Sequence, residues 1–176
     1  MSEFVANREA GFTLFEVVVA MALIAILSAV TVLSMAFYIP NLRLKSVAQE
    51  INIQLRKARL EAIQSGRNCH VEFHKVVGGE TFSPFIWVDR DNDDSMDAGE
   101  EIFKMQVETG VWEFTRYKGV RFDGAQGTNG ISGLTGNKFV LNRRGLSDGD
   151  GSIHLLNARG STKTVMVTLG GAVRIM

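Results

Sequence analysis

Residues 11–16 read Gly11-Phe12-Thr13-Leu14-Phe15-Glu16, and residues 17–39 that follow, VVVAMALIAILSAVTVLSMAFYI, hold no charged side chain. At about 1.5 Å of rise per helical residue, such a run spans a hydrocarbon core about 30 Å thick. An ordinary secretory signal has a positive n-region, about 7–15 apolar residues and a small-residue cleavage site. Residues 1–10 instead carry Glu3 and Glu9 against Arg8, and the apolar run is longer. Ser34-Met35-Ala36 offers a cleavage site of the signal-peptidase kind, so removal of the whole run stands as an alternative to a membrane anchor.

Glu16 is the odd residue of this stretch. An ionisable group inside a membrane segment costs about 2.5–3.5 kcal/mol on insertion scales, so it should have a partner. A free α-amino group is one candidate, if cleavage makes Phe12 the first residue. The other reading places the carboxylate at the membrane interface, where the helix N-terminus favours negative charge. The residues leave both open.

Beyond the apolar run, Leu44, Ala48, Ile51, Leu55, Ala58 and Ala62 step by four and three, the spacing of one helical stripe. Arg43, Glu50, Arg56, Lys57, Arg59 and Glu61 surround it. The stripe lasts only about three heptads, which predicts packing on a domain rather than a coiled coil. Pro40 is expected to kink or unwind the junction, and Ser65-Gly66 to end the helix. After Gly66 the period changes to two. Cys69, Val71 and Phe73 alternate with His70, Glu72 and His74. Further strand-like runs are 85–88, 101–107, 111–117, 138–142, 152–158, 162–169 and 172–176. This order predicts an α+β fold. Its long N-terminal helix, membrane-spanning in its first half, packs on a C-terminal antiparallel β-sandwich or curled sheet.

The 176 residues suffice for one membrane helix and one compact domain. Nineteen basic and nineteen acidic residues cancel, so no global field argues for nucleic acid or acidic substrates. The single cysteine excludes an internal disulfide. Local charge is less even. Residues 80–109 hold nine acids against two bases, and residues 138–176 six bases against two acids. The first reading of such a tail is a solvated surface.

Candidate chemistry concentrates in residues 89–100. Asp89, Asp91, Asp93, Ser95, Asp97 and Glu100 occupy positions 1, 3, 5, 7, 9 and 12 of the calcium-loop pattern. Side chains at 1, 3, 5 and 12, with the carbonyl at 7, can surround Ca2+ with oxygen, and Met96 offers an apolar anchor. Position 6 departs from the pattern, with Asp94 where glycine is usual. The competing reading is an acidic turn without metal. His70, Glu72 and His74 share a strand face at a spacing that could hold zinc, but that face is expected to be solvated. Cys69 reads as a core residue before a catalytic one, and no Ser/His/Asp arrangement or phosphate-cradling loop stands out. Gly124, Gly127, Gly130, Gly133 and Gly136 recur every third residue without proline. They predict a flexible loop, free to order against a neighbour, and not a collagen-like helix.

Gly11-Phe-Thr-Leu-Phe-Glu16 before its apolar run resembles the type III signal of type IV pilins and type II secretion pseudopilins. The resemblance implies cleavage after Gly11 by a prepilin peptidase and N-methylation of Phe12. It also implies that Glu16 neutralises a neighbouring subunit's α-amino group during assembly. The stretch from Ile53 to Val71 resembles the helix end and first strand of the GspH/FimT group, with Arg59, Glu61, Ala62, Ile63 and Gly66 matching its pattern. Gly171-Ala172-Val173-Arg174 is similar to that group's last strand. The implied organisation is a leader over 1–11, the transmembrane half of the helix over 12–39, its amphipathic half over 40–66 and a β-rich periplasmic domain over 67–176. The implied protein is no enzyme. It is a minor pilin or pseudopilin, single-pass in the bacterial inner membrane, that helps initiate or cap a type IV pilus or type II secretion pseudopilus. Its implied partners are other major and minor pilins or pseudopilins, the prepilin peptidase and the inner-membrane assembly platform. Glu16 argues against the extreme tip subunit, which often lacks that glutamate. The positive-inside count, Arg8 against Arg43 and Lys45, weakly favours the opposite orientation. The alternative is a FimT-like DNA-binding minor pilin for natural uptake. In that kind arginines surround a final Gly-Arg-x-Arg strand. Only Arg174 fits here, with Arg143, Arg144, Arg159 and Lys163 as supplementary phosphate contacts.

Overall fold

A computed structural model describes residues 11–176, apart from the side chains of Leu33 and Ala36. The expected leader over 1–11 lies, except for Gly11, outside the described residues. Helix α1 runs from Leu14 to Ser65. Thr13 opens it: the Glu16 amide donates to Thr13 Oγ1 at 3.2 Å, and Thr13-x-x-Glu16 is the capping-box spacing. Residues Leu14–Val32 are long and apolar enough to cross a membrane, and none of that window is buried in the protein. The hydroxyls of Ser28, Thr31 and Ser34 donate to the carbonyls of Ile24, Leu27 and Val30 at 2.7, 2.9 and 3.1 Å. These polar groups are thus satisfied inside the helix, as a lipid environment requires. Pro40 does not unwind the element, because the helix continues through it. The chain divides into two units between Tyr38 and Ile39, and all the strands belong to the second.

Among the described residues, ten strands form two antiparallel sheets. They are β1 (Cys69–Glu72), β2 (Lys75–Val77), β3 (Glu80–Val88), β4 (Glu101–Val107), β5 (Val120–Phe122), β6 (Ile131–Ser132), β7 (Lys138–Leu141), β8 (Gly151–Asn157), β9 (Thr162–Val167) and β10 (Val173–Ile175). In the first sheet β3 is central. It carries β1 and β2 in line along one side and β4 along the other, with β7 beyond β1. In the second, β8 carries β5 and β6 along one side and β9 along the other, with β10 outermost. The helical stripe Leu44, Ala48, Ile51, Leu55, Ala58 and Ala62 is at most 3% exposed. It joins Cys69, Val71 and Phe139 of the first sheet and Val120, Leu155 and Val165 of the second in one apolar core. Val47, off the simple step, is also fully buried there. Burial of all three elements against one another, and not helix propensity alone, holds this half of α1 in place.

Three expectations change. Residues 111–117 form no strand. Trp112 N and Tyr117 N close turns on Glu108 O and Phe114 O at 2.8 and 3.0 Å, and Phe114 N and Thr115 N reach Val120 O and Gln106 O at 3.0 and 3.1 Å, leaving only isolated bridges. The glycine-rich segment 124–136 is not a loose loop. It contains β6 and runs into a 3-10 turn at Thr135–Asn137. A Cβ on Gly127 would lie 2.0 Å from the Ile131 carbonyl oxygen, and one on Gly130 2.8 Å from Phe122 Cβ. At Gly127, Gly130 and Gly133 backbone lies where a Cβ would go, so only glycine fits there. Finally, the polar face of β1 is not solvated. His70 is 8% exposed, under a second apolar cluster of Phe82, Phe85 and Trp87 with Val77 and Met96 against it.

Candidate functional site

Glu16 lies in the first turn of α1, where the helix macrodipole favours an anion. Phe12 and Gly11 precede it and are exposed. Among the described residues, no ion pair involves Glu16.

The acidic loop joins adjacent strands β3 and β4, as its flanking patterns predict. Its two ends are closed by its own amides. Asp89 is 1% exposed. Its Oδ1 accepts from Asn92 N at 2.6 Å and Asp93 N at 3.2 Å, and its Oδ2 from Asp94 N at 3.2 Å. Glu100 accepts from Arg90 N at 2.7 Å through Oε1 and from Asp97 N at 2.9 Å through Oε2. Carboxylate oxygens of Asp89, Asp91 and Asp93 lie within 4.8 Å of one another. Asp97 and Glu100 stand outside that group. Ser95 donates its amide to Asp93 Oδ1 at 2.7 Å. The Asp91 carboxyl titrates above its ordinary value, through loss of solvation, then through Asp93, with Glu100 and Asp97 adding to it. Asp94 takes the left-handed conformation, φ 57°, that its place in the pattern demands. Met96 anchors the loop on Phe82, Phe85 and Trp87.

His70, Glu72 and His74 do not assemble. His70 stacks flat on Trp87, ring centres 4.0 Å apart and planes 7° apart. Trp87 Nε1 in turn donates to Glu72 Oε1 at 2.9 Å. His70 Nε2 is buried without a hydrogen-bond partner, 3.5 Å from Asp94 Oδ1. At His74 the chain leaves the strand with φ 58°. That turns its ring onto Trp112 and Phe122, at 4.1 and 4.8 Å, and Nε2 donates to the Asn129 carbonyl at 3.1 Å. Burial lowers the pKa of both imidazoles, more than nearby acids raise that of His70 or the Asn129 carbonyl that of His74. Cys69 is fully buried, and its thiol is pushed up to about 12 by burial and then by Glu61. It is no nucleophile.

The basic residues separate into two groups. Arg143 and Arg144 follow β7 and line a polar recess with Arg67 and Asn68. The adjacent Gly145 abuts Arg59 and Ile63 of α1. Arg59 Nη1 donates to Gly171 O at 3.1 Å and Arg56 Nη2 to Val173 O at 3.3 Å, so these arginines clamp the last strand on which Arg174 sits. Arg159 lies in the β8–β9 turn, near Lys163 of β9. Asn157 there accepts the Arg159 amide at 3.0 Å and donates to Asn41 Oδ1 at 2.8 Å. Asn41 and Ile63 are about 33 Å apart along the helix at 1.5 Å per residue. Arg159 and Arg143 therefore sit at opposite ends of the domain. Sequence reasoning missed Arg67, which has only its neighbourhood to Gly66 as a signal; it named His70 as a candidate ligand beside Glu72 and His74, on a face expected to be solvated, whereas the structure buries His70 and sets it beside Asp89 and Asp94.

A capped apolar helix led by Gly11-Phe12, whose later turns are buried in a β domain, is the plan of a membrane-anchored, pilin-like filament subunit. Residues 6–32 match the prokaryotic N-terminal methylation motif. Residues 47–171 match the type II transport protein GspH, and the chain belongs to that family. It is a minor pilin or pseudopilin of single-pass inner-membrane topology with a periplasmic domain, in a family of structural subunits. No curated protein and no solved structure matches the chain.

Proposed function

We propose that this subunit is a low-copy component near the initiating or capping end of a type IV pilus or type II secretion pseudopilus, docked through Glu16. The observation that carries this is a carboxylate in the first turn of an unburied apolar helix, paired with no cation among the described residues. After cleavage between Gly11 and Phe12, the α-amino group of a neighbour's Phe12 supplies the missing charge. Such neutralisation lets both groups enter the lipid. Other pilins or pseudopilins, the prepilin peptidase and the assembly platform are the proposed partners. Mass spectrometry of the mature protein should find N-methylated Phe12 first. Glu16→Ala should insert normally and keep the domain's melting temperature, yet lose most filament incorporation. Normal incorporation would refute the docking role. Deletion followed by assays of piliation and secretion assigns the filament.

The DNA-uptake reading is weaker, because Arg143 and Arg144 lie far from Arg159 and Lys163. Arg67 beside Arg143 and Arg144 is what favours it. If it holds, Arg143→Ala and Arg144→Ala each weaken DNA binding and lower its salt dependence by about one unit of slope.

Calcium in the acidic loop is the proposed cofactor, supported by the grouping of Asp89, Asp91 and Asp93 and by the Met96 anchor. The Ser95 carbonyl, Asp97 and Glu100 complete the oxygen set. Binding at a hundredfold excess over Kd stabilises by about 2.7 kcal/mol. Calcium should therefore raise the melting temperature of the full chain in detergent, and raise that of Asp91→Asn and Asp93→Asn less. An equal rise in all three leaves the loop an acidic turn.

A further inference from the structure

We propose that His70, Asp89 and Asp94 form a site for a first-row divalent transition ion, with zinc as the test ion, between strand β1 and the acidic loop. One ligand atom from each lies within 4.8 Å of the others. His70 supplies the independent observation. It belongs to the sheet and not to the loop, it is 8% exposed, and its Nε2, 3.5 Å from Asp94 Oδ1, has no hydrogen-bond partner. Native proteins leave few such atoms orphaned, and an ion is one of the accepted reasons. The imidazole is held for the task. Its ring lies flat on Trp87, whose own N–H is fixed by Glu72. Asp89 is oriented by three loop amides, the supporting contacts that metal ligands require.

The spacing admits a zinc ion, and the imidazole selects it over calcium. Bonds of 2.0–2.1 Å to a tetrahedral zinc place ligands about 3.3 Å apart, and His70 Nε2 lies 3.5 Å from Asp94 Oδ1. Calcium takes oxygen ligands, whereas imidazole suits zinc, copper and nickel. Asp94 stands where the calcium-loop pattern has glycine, and its side chain reaches His70. The same departure that weakens the loop as a calcium site supplies this one. With its side chain 78% exposed, Asp94 also leaves an open side for entry of the ion and for a water as fourth ligand.

The test is zinc and calcium titration of the full chain in detergent, by calorimetry and by Trp87 fluorescence in a Trp112→Phe background. His70→Gln and Asp94→Asn should each weaken zinc binding at least about tenfold and leave calcium binding within about twofold. Asp91→Asn should leave zinc binding unchanged. Asp94→Gly should lose zinc while keeping or gaining calcium. Asp94 is exposed and left-handed, a place where Asn and Gly fold without strain, so the Asp94 variants decide the matter even if His70→Gln fails to fold. Absence of zinc binding by the wild type overturns the site. So does equal zinc affinity in the wild type and Asp94→Asn, or a zinc affinity that falls with Asp91→Asn.

Discussion

Two loops of similar length, residues 89–100 and 124–136, are held by opposite means. Each is touched by a histidine from residues 69–74 that packs on a tryptophan: His70 lies flat on Trp87 and reaches Asp94 of the acidic loop, and His74 packs tilted on Trp112 and reaches Asn129 of the glycine loop. The acidic loop stays largely exposed and is closed by buried carboxylates at its ends accepting its own amides. The glycine loop is closed by backbone packing, with no room for a Cβ at Gly127, Gly130 or Gly133. His74 is hydrogen-bonded to its loop, and His70 is not. The difference teaches that a run of glycines can mark the rigid loop and a run of charges the adaptable one.

The largest expected effect strikes the glycine loop. Gly127→Ala puts a Cβ against the Ile131 carbonyl at a φ of 57°. It should cost about 3 kcal/mol or more by denaturant unfolding of the full chain. Gly136→Ala, left-handed but with open space around it, should cost about 1 kcal/mol. Gly124→Ala, with neither constraint, should stay within about 0.5 kcal/mol. Equal costs at all three positions would erase the contrast between the loops.

Met96→Ala is next. It removes the acidic loop's apolar anchor from Phe82, Phe85 and Trp87 while sparing every carboxylate. A half-buried methionine should be worth about 1 kcal/mol, below the range for full burial. The loss should be local, read as faster amide exchange across residues 90–99 with the glycine loop unchanged. Simultaneous loosening of both loops would show that they are one cooperative unit.

The smallest effect is on pH dependence. Burial lowers the His74 pKa below its ordinary 6.5, so below that pH the unfolded chain binds the proton more readily. Stability therefore falls as pH drops through 6.5 towards the folded value, and His70 acts with the same sign. His74→Asn, tolerable at a left-handed position, should make melting temperature depend less steeply on pH between about 7 and 5. An unchanged slope would mean that His74 does not carry its share.

The helix was legible because Leu44, Ala48, Ile51 and Leu55 repeat at a period no strand shares, and the acidic loop because its spacing and flanking strands agree. The covered face of the first sheet was not. His70 and Glu72 alternate with Cys69 and Val71 as they would on a solvated strand, and their cover comes from Trp87 of β3 and from Met96, which returns from the loop onto the same cluster. Strands β5 and β6 have three and two residues, too few for a period to register. The segment at Trp112 alternates like a strand, yet its amides are divided between turns and single bonds to different segments, so no ladder forms. The separation of Arg143 from Arg159 follows from β8, whose seven residues carry the chain between the two groups. Charge counts over 138–176 average that distance away.

Cys69 has a practical consequence. A thiol with no exposure and a pKa pushed to about 12 stays silent towards maleimides at neutral pH. A cysteine introduced at an exposed position such as Arg116 or Lys57 is then the sole reactive handle on the chain. Neighbours in an assembled filament can be mapped by cross-linking without first removing the native residue. Modification of Cys69 itself becomes a clock, because the reagent reaches it only when the helix and both sheets part.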